Sequence, residues 1–208
     1  MKLLVLVVLP GCFLFRNGDA ERCQEGRNVL LDSQDAVMHF AGCKVAEGLV
    51  IRTGASIDLG PLRELEEIKG DLVVGPTVGI EEVGLNRVRT IGGAVRVAKN
   101  PSLRGLFLPR LENAGRIFVE ENGALTTIAL PRIDTVRGAV VISDNHSLEL
   151  FAAPELATVG HELVLIDHPK LSVVQLDKLV SAEAVRIERD PKLPPEMVSA
   201  IREKGTVP

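Results

Sequence analysis

The chain has no tryptophan and no tyrosine, and only six phenylalanines in 208 residues. The aromatic platforms on which nucleobases and sugar rings usually stack are therefore nearly missing. Charge of one sign is also scarce. The formal net charge is -4 and no Lys/Arg-rich block is present, so a phosphate-tracking surface is not expected and nucleic acid is not an expected partner. No apolar run reaches the roughly 20 residues of a membrane helix, so no transmembrane span is expected. The four histidines (His39, His146, His161 and His168) show no metal-ligand spacing with cysteine, and none accompanies a nucleophilic serine motif. No glycine-rich phosphate loop follows a strand and opens a helix. Catalysis has no constellation to stand on, so no enzymatic activity, metal or cofactor is expected.

What the chain does have is repetition. Leu103, Leu125, Leu148, Leu171 and Leu193 recur every 22 or 23 residues, and Ile80 extends the row backwards by 23. Each leucine closes one short phrase: Asn100-Pro-Ser-Leu103, Asn122-Gly-Ala-Leu125, Asn145-His-Ser-Leu148, His168-Pro-Lys-Leu171 and Asp190-Pro-Lys-Leu193. A fixed period of this length is the signature of a solenoid. In the same register lie seven triplets: Leu49-Val-Ile51, Leu72-Val-Val74, Val95-Arg-Val97, Ile117-Phe-Val119, Val140-Val-Ile142, Leu163-Val-Leu165 and Val185-Arg-Ile187. Period-2 alternation turns their outer members inward and their middle members outward, and stacked coils then build a parallel sheet. A second apolar stretch follows each turn and ends on a kink, as at Pro109, Pro131 and Pro154; proline lacks the ladder donor, so these are expected at corners. Each coil closes on glycine or another small residue, as at Gly70, Gly93, Gly138 and Gly160. The predicted fold is mainly β with capping helices, a solenoid of about seven coils of 22–23 residues.

At the start, Lys2 precedes the apolar run Leu3–Leu9, which fits the core of a signal peptide over residues 1–20. Gly18-Asp-Ala20 offers cleavage before Glu21. The alternative exit is Leu9-Pro-Gly-Cys12, a lipobox-like sequence that would tether the chain through Cys12. Either exit leaves Cys23 and Cys43 as a pair, which an oxidising compartment would join; two free thiols are the alternative. Residues 21–48 are expected to form an N-terminal cap, with Asp32-Ser33 starting a short helix that Gly42 stops. Residues 49–193 hold the coils. Proline at 194 and 195 and Gly205 punctuate a C-terminal cap helix over 194–208.

Cys43-Lys-Val-Ala-Glu-Gly48-Leu-Val-Ile51, the cysteine 20 residues before it, and the repeated coils resemble the receptor L-domain, the ligand-binding module of insulin-receptor and epidermal-growth-factor-receptor ectodomains. The resemblance covers essentially all of residues 21–208. It implies a right-handed solenoid with helical caps, in a secreted, extracellular setting. The chain lacks the cysteine-rich module, membrane span and kinase of those receptors, so signalling by the chain itself is not implied.

The outward triplet row reads Val50, Val73, Arg96, Phe118, Val141, Val164 and Arg186, five apolar residues of seven. β-propensity accounts for valine in any strand. A contiguous apolar stripe also marks a binding surface for a protein or glycan, with Phe118 beside Arg96 as its centre. The turn column Asn100, Asn122, Asn145, His168 and Asp190 reads as structural, because Asn and Asp bond their own backbone and tolerate left-handed conformations. Beside it, Glu121, Asp144 and Asp167 place one acid per coil, the arrangement of a Ca²⁺ site or of a polysaccharide-cleaving β-helix enzyme. Asn145-His-Ser147 is an N-glycosylation sequon if the source is eukaryotic. The expected function is a secreted, non-catalytic binding module. A structural cell-envelope or matrix protein and a carbohydrate-active enzyme are the rivals.

Overall fold

The computed structural model describes Cys23 and residues 26–204. The signal-peptide reading, the lipobox at Cys12 and the glycine expected after the last helix, Gly205, all lie outside those residues. The chain opens with β1 (Asn28–Leu31) and α1 (Gln34–His39), then β2 (Val45–Ala46) and β3 (Gly48–Ile51). A short 3-10 turn at Gly60–Glu64 leads to β4 (Glu67–Ile68), β5 (Leu72–Val74) and β6 (Glu82–Gly84). The central coils carry β7 (Thr90–Ala98), β8 (Gly105–Phe107), β9 (Asn113–Glu120), β10 (Thr127–Ala129), β11 (Thr135–Val136) and β12 (Val140–Ser143). The last carry β13 (Leu150–Ala152), β14 (Thr158–Val159), β15 (Glu162–Ile166), β16 (Val173–Gln175), β17 (Ala184–Glu188) and α2 (Pro195–Lys204).

These strands stack into a β-solenoid of about seven turns with three faces, all pairings parallel. The large sheet runs β1-β3-β5-β7-β9-β12-β15-β17, and a second sheet runs β6-β8-β10-β13-β16. The third face is made by β2, β4, the starts of β7 and β9, β11 and β14; β7 and β9 are long enough to cross the corner into the large sheet. All seven expected triplets lie in large-sheet strands, in register one coil to the next. Their outer members are buried, except for half-buried Val185, and so is the entire leucine row. Pro109, Pro131 and Pro154 follow the second-sheet strands at corners, where no ladder donor is required.

Both ends are covered as expected. Ser33 accepts a hydrogen bond from the Ala36 N–H at 3.3 Å and so caps α1, and Gly42 adopts φ +83° beyond its end. Val37 and Phe40 bury the inner side of that helix, and Cys23 and Cys43 are joined by a disulfide. At the other end Ile201 packs into the core, Arg202 donates to the Ile187 carbonyl at 2.7 Å, and Lys204 donates to the carbonyls of Leu176 and Asp177. α2 therefore seals the end at β17, whose strand edge would otherwise stay open.

The closing glycines have a steric cause. A Cβ at Gly70 would meet the Glu47 carbonyl oxygen of the coil before it at 2.5 Å, and one at Gly92 or Gly160 would collide with the Lys69 or Arg137 carbonyl. At this corner neighbouring backbones approach more closely than a side chain allows. That leaves the corner free of side chains except where one reaches in from a neighbouring coil.

Candidate binding face

The registers place Leu30, Val50, Val73, Arg96, Phe118, Val141, Val164 and Arg186 opposite one another, one per strand, along the outside of the large sheet. All seven row residues named from the sequence are thus brought together. Leu30 is an eighth member that the spacing concealed: it lies 20 residues before Val50, outside the 22–23 period, and is 50% exposed at the edge strand. Val164 shares the row but is only 5% exposed, so it supports the surface more than it presents to it. At mid-row the Arg96 guanidinium sits over the Phe118 ring, 4.7 Å from its centroid. This cation–π contact holds the arginine flat against the sheet and leaves its edge donors turned away from the ring. Arg186 closes the row and pairs with Glu188 at 3.4 Å.

The outside of the second sheet differs. Its counterpart to Phe118 is Phe107, whose ladder neighbours are Gly84 and Ala129, and whose ring lies over Gly105 in its own strand. The ladder rows there read Glu82, Gly105, Thr127, Leu150 and Val173, and Gly84, Phe107, Ala129, Ala152 and Gln175. Polar residues at their ends and the glycines and alanines between keep the large apolar stretches short.

The turn column is buried throughout, as its structural reading requires. Asn100 Nδ2 donates to Asn122 Oδ1 at 2.9 Å, and Asn122 Nδ2 donates to Asn145 Oδ1 at 3.1 Å. The ladder begins one coil earlier than the sequence indicated, because Asn100 Oδ1 accepts from both the N–H and the hydroxyl of Thr77. The left-handed residues other than glycine are, among the described residues, Lys99, Glu121, Asp144, Asp167 and Arg189, one position ahead of the column. The column residues are needed for hydrogen bonding, and the strained position belongs to their exposed or half-buried predecessors. The sequon reading is corrected by the same geometry. Asn145 is 0% exposed, and its Nδ2 donates to the Val119 and Ser143 carbonyls at 2.8 and 2.9 Å, so a glycan on that nitrogen is incompatible with the fold.

Glu121, Asp144 and Asp167 do stack one per coil, but cations flank them. Lys99 Nζ lies 3.8 Å from Glu121, and Arg189 grips Asp167 through two contacts of 2.5 and 2.6 Å. The Arg189 hydrogen bonds hold the Asp167 carboxyl below its usual value of 3.8. No group of three or more potential ligands is arranged to hold a metal among the described residues. No described helix is long and apolar enough to cross a membrane.

Comparison with protein-family models, with curated proteins and with solved structures finds no match for this chain.

Proposed function

We propose that this chain is an extracellular, non-catalytic, L-domain-like module that binds a protein or glycan partner through the outward face of its large parallel sheet. The observation that carries this reading is the row from Leu30 to Val141. It is apolar at every coil but one, it is at least partly exposed along that length, and its single charged member is pinned over its single aromatic one. A contiguous apolar surface with an aromatic–arginine centre is the composition of a binding hot spot. The disulfide suits an oxidising compartment. The cap-and-coil resemblance to receptor L-domains points the same way, since an L-domain sheet face takes part in hormone binding.

The row also separates binding from stability. Phe118 is half-buried on an outer surface, so Phe118→Asp should abolish partner retention while the thermal transition stays close to that of the wild type. Unchanged partner affinity in a variant that melts normally would overturn the reading.

A further inference from the structure

Alongside the apolar row, where each coil turns from the third face into the large sheet, lies a groove of about 380 Å³. Its floor is the glycine corner: Gly92, Gly93, Gly115 and Gly138. Three arginines converge on it from three successive coils. Arg96 reaches it from the row, with its face on Phe118. Arg116 lies over Gly138, where a Cβ would meet its Cγ at 2.6 Å. Arg137 runs back across Gly115 to donate to the Gly92 carbonyl, two coils away. A guanidinium carries five donors, so this bond leaves Arg137 several unused.

None of the three forms an ion pair among the described residues. Elsewhere on the surface, neighbouring coils often match cation to carboxylate, as in Arg87–Glu64 at 2.6 Å, Arg89–Glu112 at 3.1 Å and Lys178–Glu155 at 2.5 Å. The groove's own acid is Asp71, and its Oδ1 is engaged by the Ala94 N–H at 2.7 Å. Asp71 and Arg116 stand two coils apart in register, about 10 Å at the usual strand spacing. His161 lines the far end, where Glu183 contacts it at 3.1 Å. The groove is therefore cationic in a chain whose net charge is -4. Planar guanidinium forks suit carboxylates, which they bind through paired hydrogen bonds.

We infer that this groove recognises the carboxylate side chains of an acidic polypeptide segment lying across the large sheet, with the segment's apolar residues on the row from Val50 to Val141. This deepens the proposed function and rests on it for the apolar half of the contact. A polypeptide is favoured over a sugar because the surface beside the groove is aliphatic. Its one aromatic, Phe118, already has its ring covered by Arg96, so no platform is left for sugar rings.

The test is calorimetric titration of the disulfide-bonded chain with an octapeptide of alternating leucine and glutamate. The same peptide with glutamine, and an oligogalacturonate of equal charge, serve as controls. The wild type should prefer the glutamate peptide by about tenfold or more, and the preference should fall as salt rises. Arg116→Gln/Arg137→Gln should erase that preference without altering the far-ultraviolet circular dichroism. Equal binding of glutamate and glutamine peptides, a preference that survives the double substitution, or tighter binding of the oligogalacturonate would overturn the inference. Phe118→Asp separates the two levels. Binding that needs Arg116 and Arg137 but ignores Phe118 keeps the groove and sinks the sheet-face reading, whereas binding that needs Phe118 alone keeps the face and sinks the groove.

Discussion

Two columns run the length of this solenoid, one inside its turns and one outside its large sheet, and they obey opposite rules. The inner column repeats asparagine in three successive coils because each amide must donate to one neighbour and accept from another with no water to help. The outer row faces solvent from Leu30 to Val141 and has no such requirement, yet it stays apolar from Leu30 to Val73 and again at Phe118 and Val141. Repetition in the first column is explained by the stacking itself. The second is not: β-propensity favours valine at any strand position, but threonine would satisfy it as well, and it does not call for Leu30 or for Phe118 under Arg96. The lesson is that in a stacked fold the invariant positions report on the scaffold, and the positions free to vary report on its use.

The difference between the columns can be broken experimentally. The largest effect should come from Asn122→Ala. It removes the five hydrogen bonds of the Asn122 side chain and leaves the buried Asn100 N–H without its side-chain acceptor. A loss of at least about 3 kcal/mol in chemical denaturation is expected, with partner binding intact in the folded fraction. Replacing Cys23 and Cys43 with alanine should cost about 3 kcal/mol, from a closed loop of 20 residues, and should speed hydrogen exchange over β1 and α1. Because Leu30 sits on β1, this change also shortens the outer row while leaving the inner column intact.

Smaller effects probe where the inner column changes character. His168 and Asp190 pair at 2.9 Å, but His168 Nε2 and Asp190 Oδ2 are buried without partners, and no side-chain bond joins Asn145 to His168. The double change His168→Asn/Asp190→Asn should extend the ladder and raise stability by about 1 kcal/mol, read as a higher denaturation midpoint. The smallest effect is electrostatic. Asp167 has its folded-state pKa depressed by Arg189, so its contribution is present above the ordinary carboxylate value of 3.8 and is lost as pH falls through the lower folded value. Arg189→Ala should return the Asp167 carboxyl resonance to an ordinary titration. Any stability difference between the variant and the wild type should vanish in strong acid.

Much of this architecture was readable because stacking forces the period into the chain. The seven triplets, the corner prolines, the disulfide pair and both cap helices follow from spacing and local punctuation. Leu30 escaped because the cap strand joins the sheet after a loop that need not keep the coil length. The left-handed positions were read one residue late, since Asn122 and Asn145 look like turn formers when their amides are in fact committed across coils. Arg116 and Arg137 carried no signal at all. Their convergence depends on a register shift between Ile91 and Ala94 and on bare glycine corners that let one side chain lie over another coil, which are properties of the stacked backbone.

The outer row's role is tested most directly by comparing its Phe118 with Phe107 on the second sheet. The disulfide-bonded wild-type chain, Phe118→Asp and Phe107→Asp would each be immobilised, and retained partners quantified by mass spectrometry beside matched melting curves. Phe107 is the control because it has the same residue type and a similar half-buried exposure on the second sheet, with only glycine and alanine beside it in the ladder. The prediction is a partner held by the wild type and by Phe107→Asp and lost by Phe118→Asp, with all three melting alike. Retention by Phe118→Asp, or loss by Phe107→Asp alone, would contradict the assignment of binding to the large sheet.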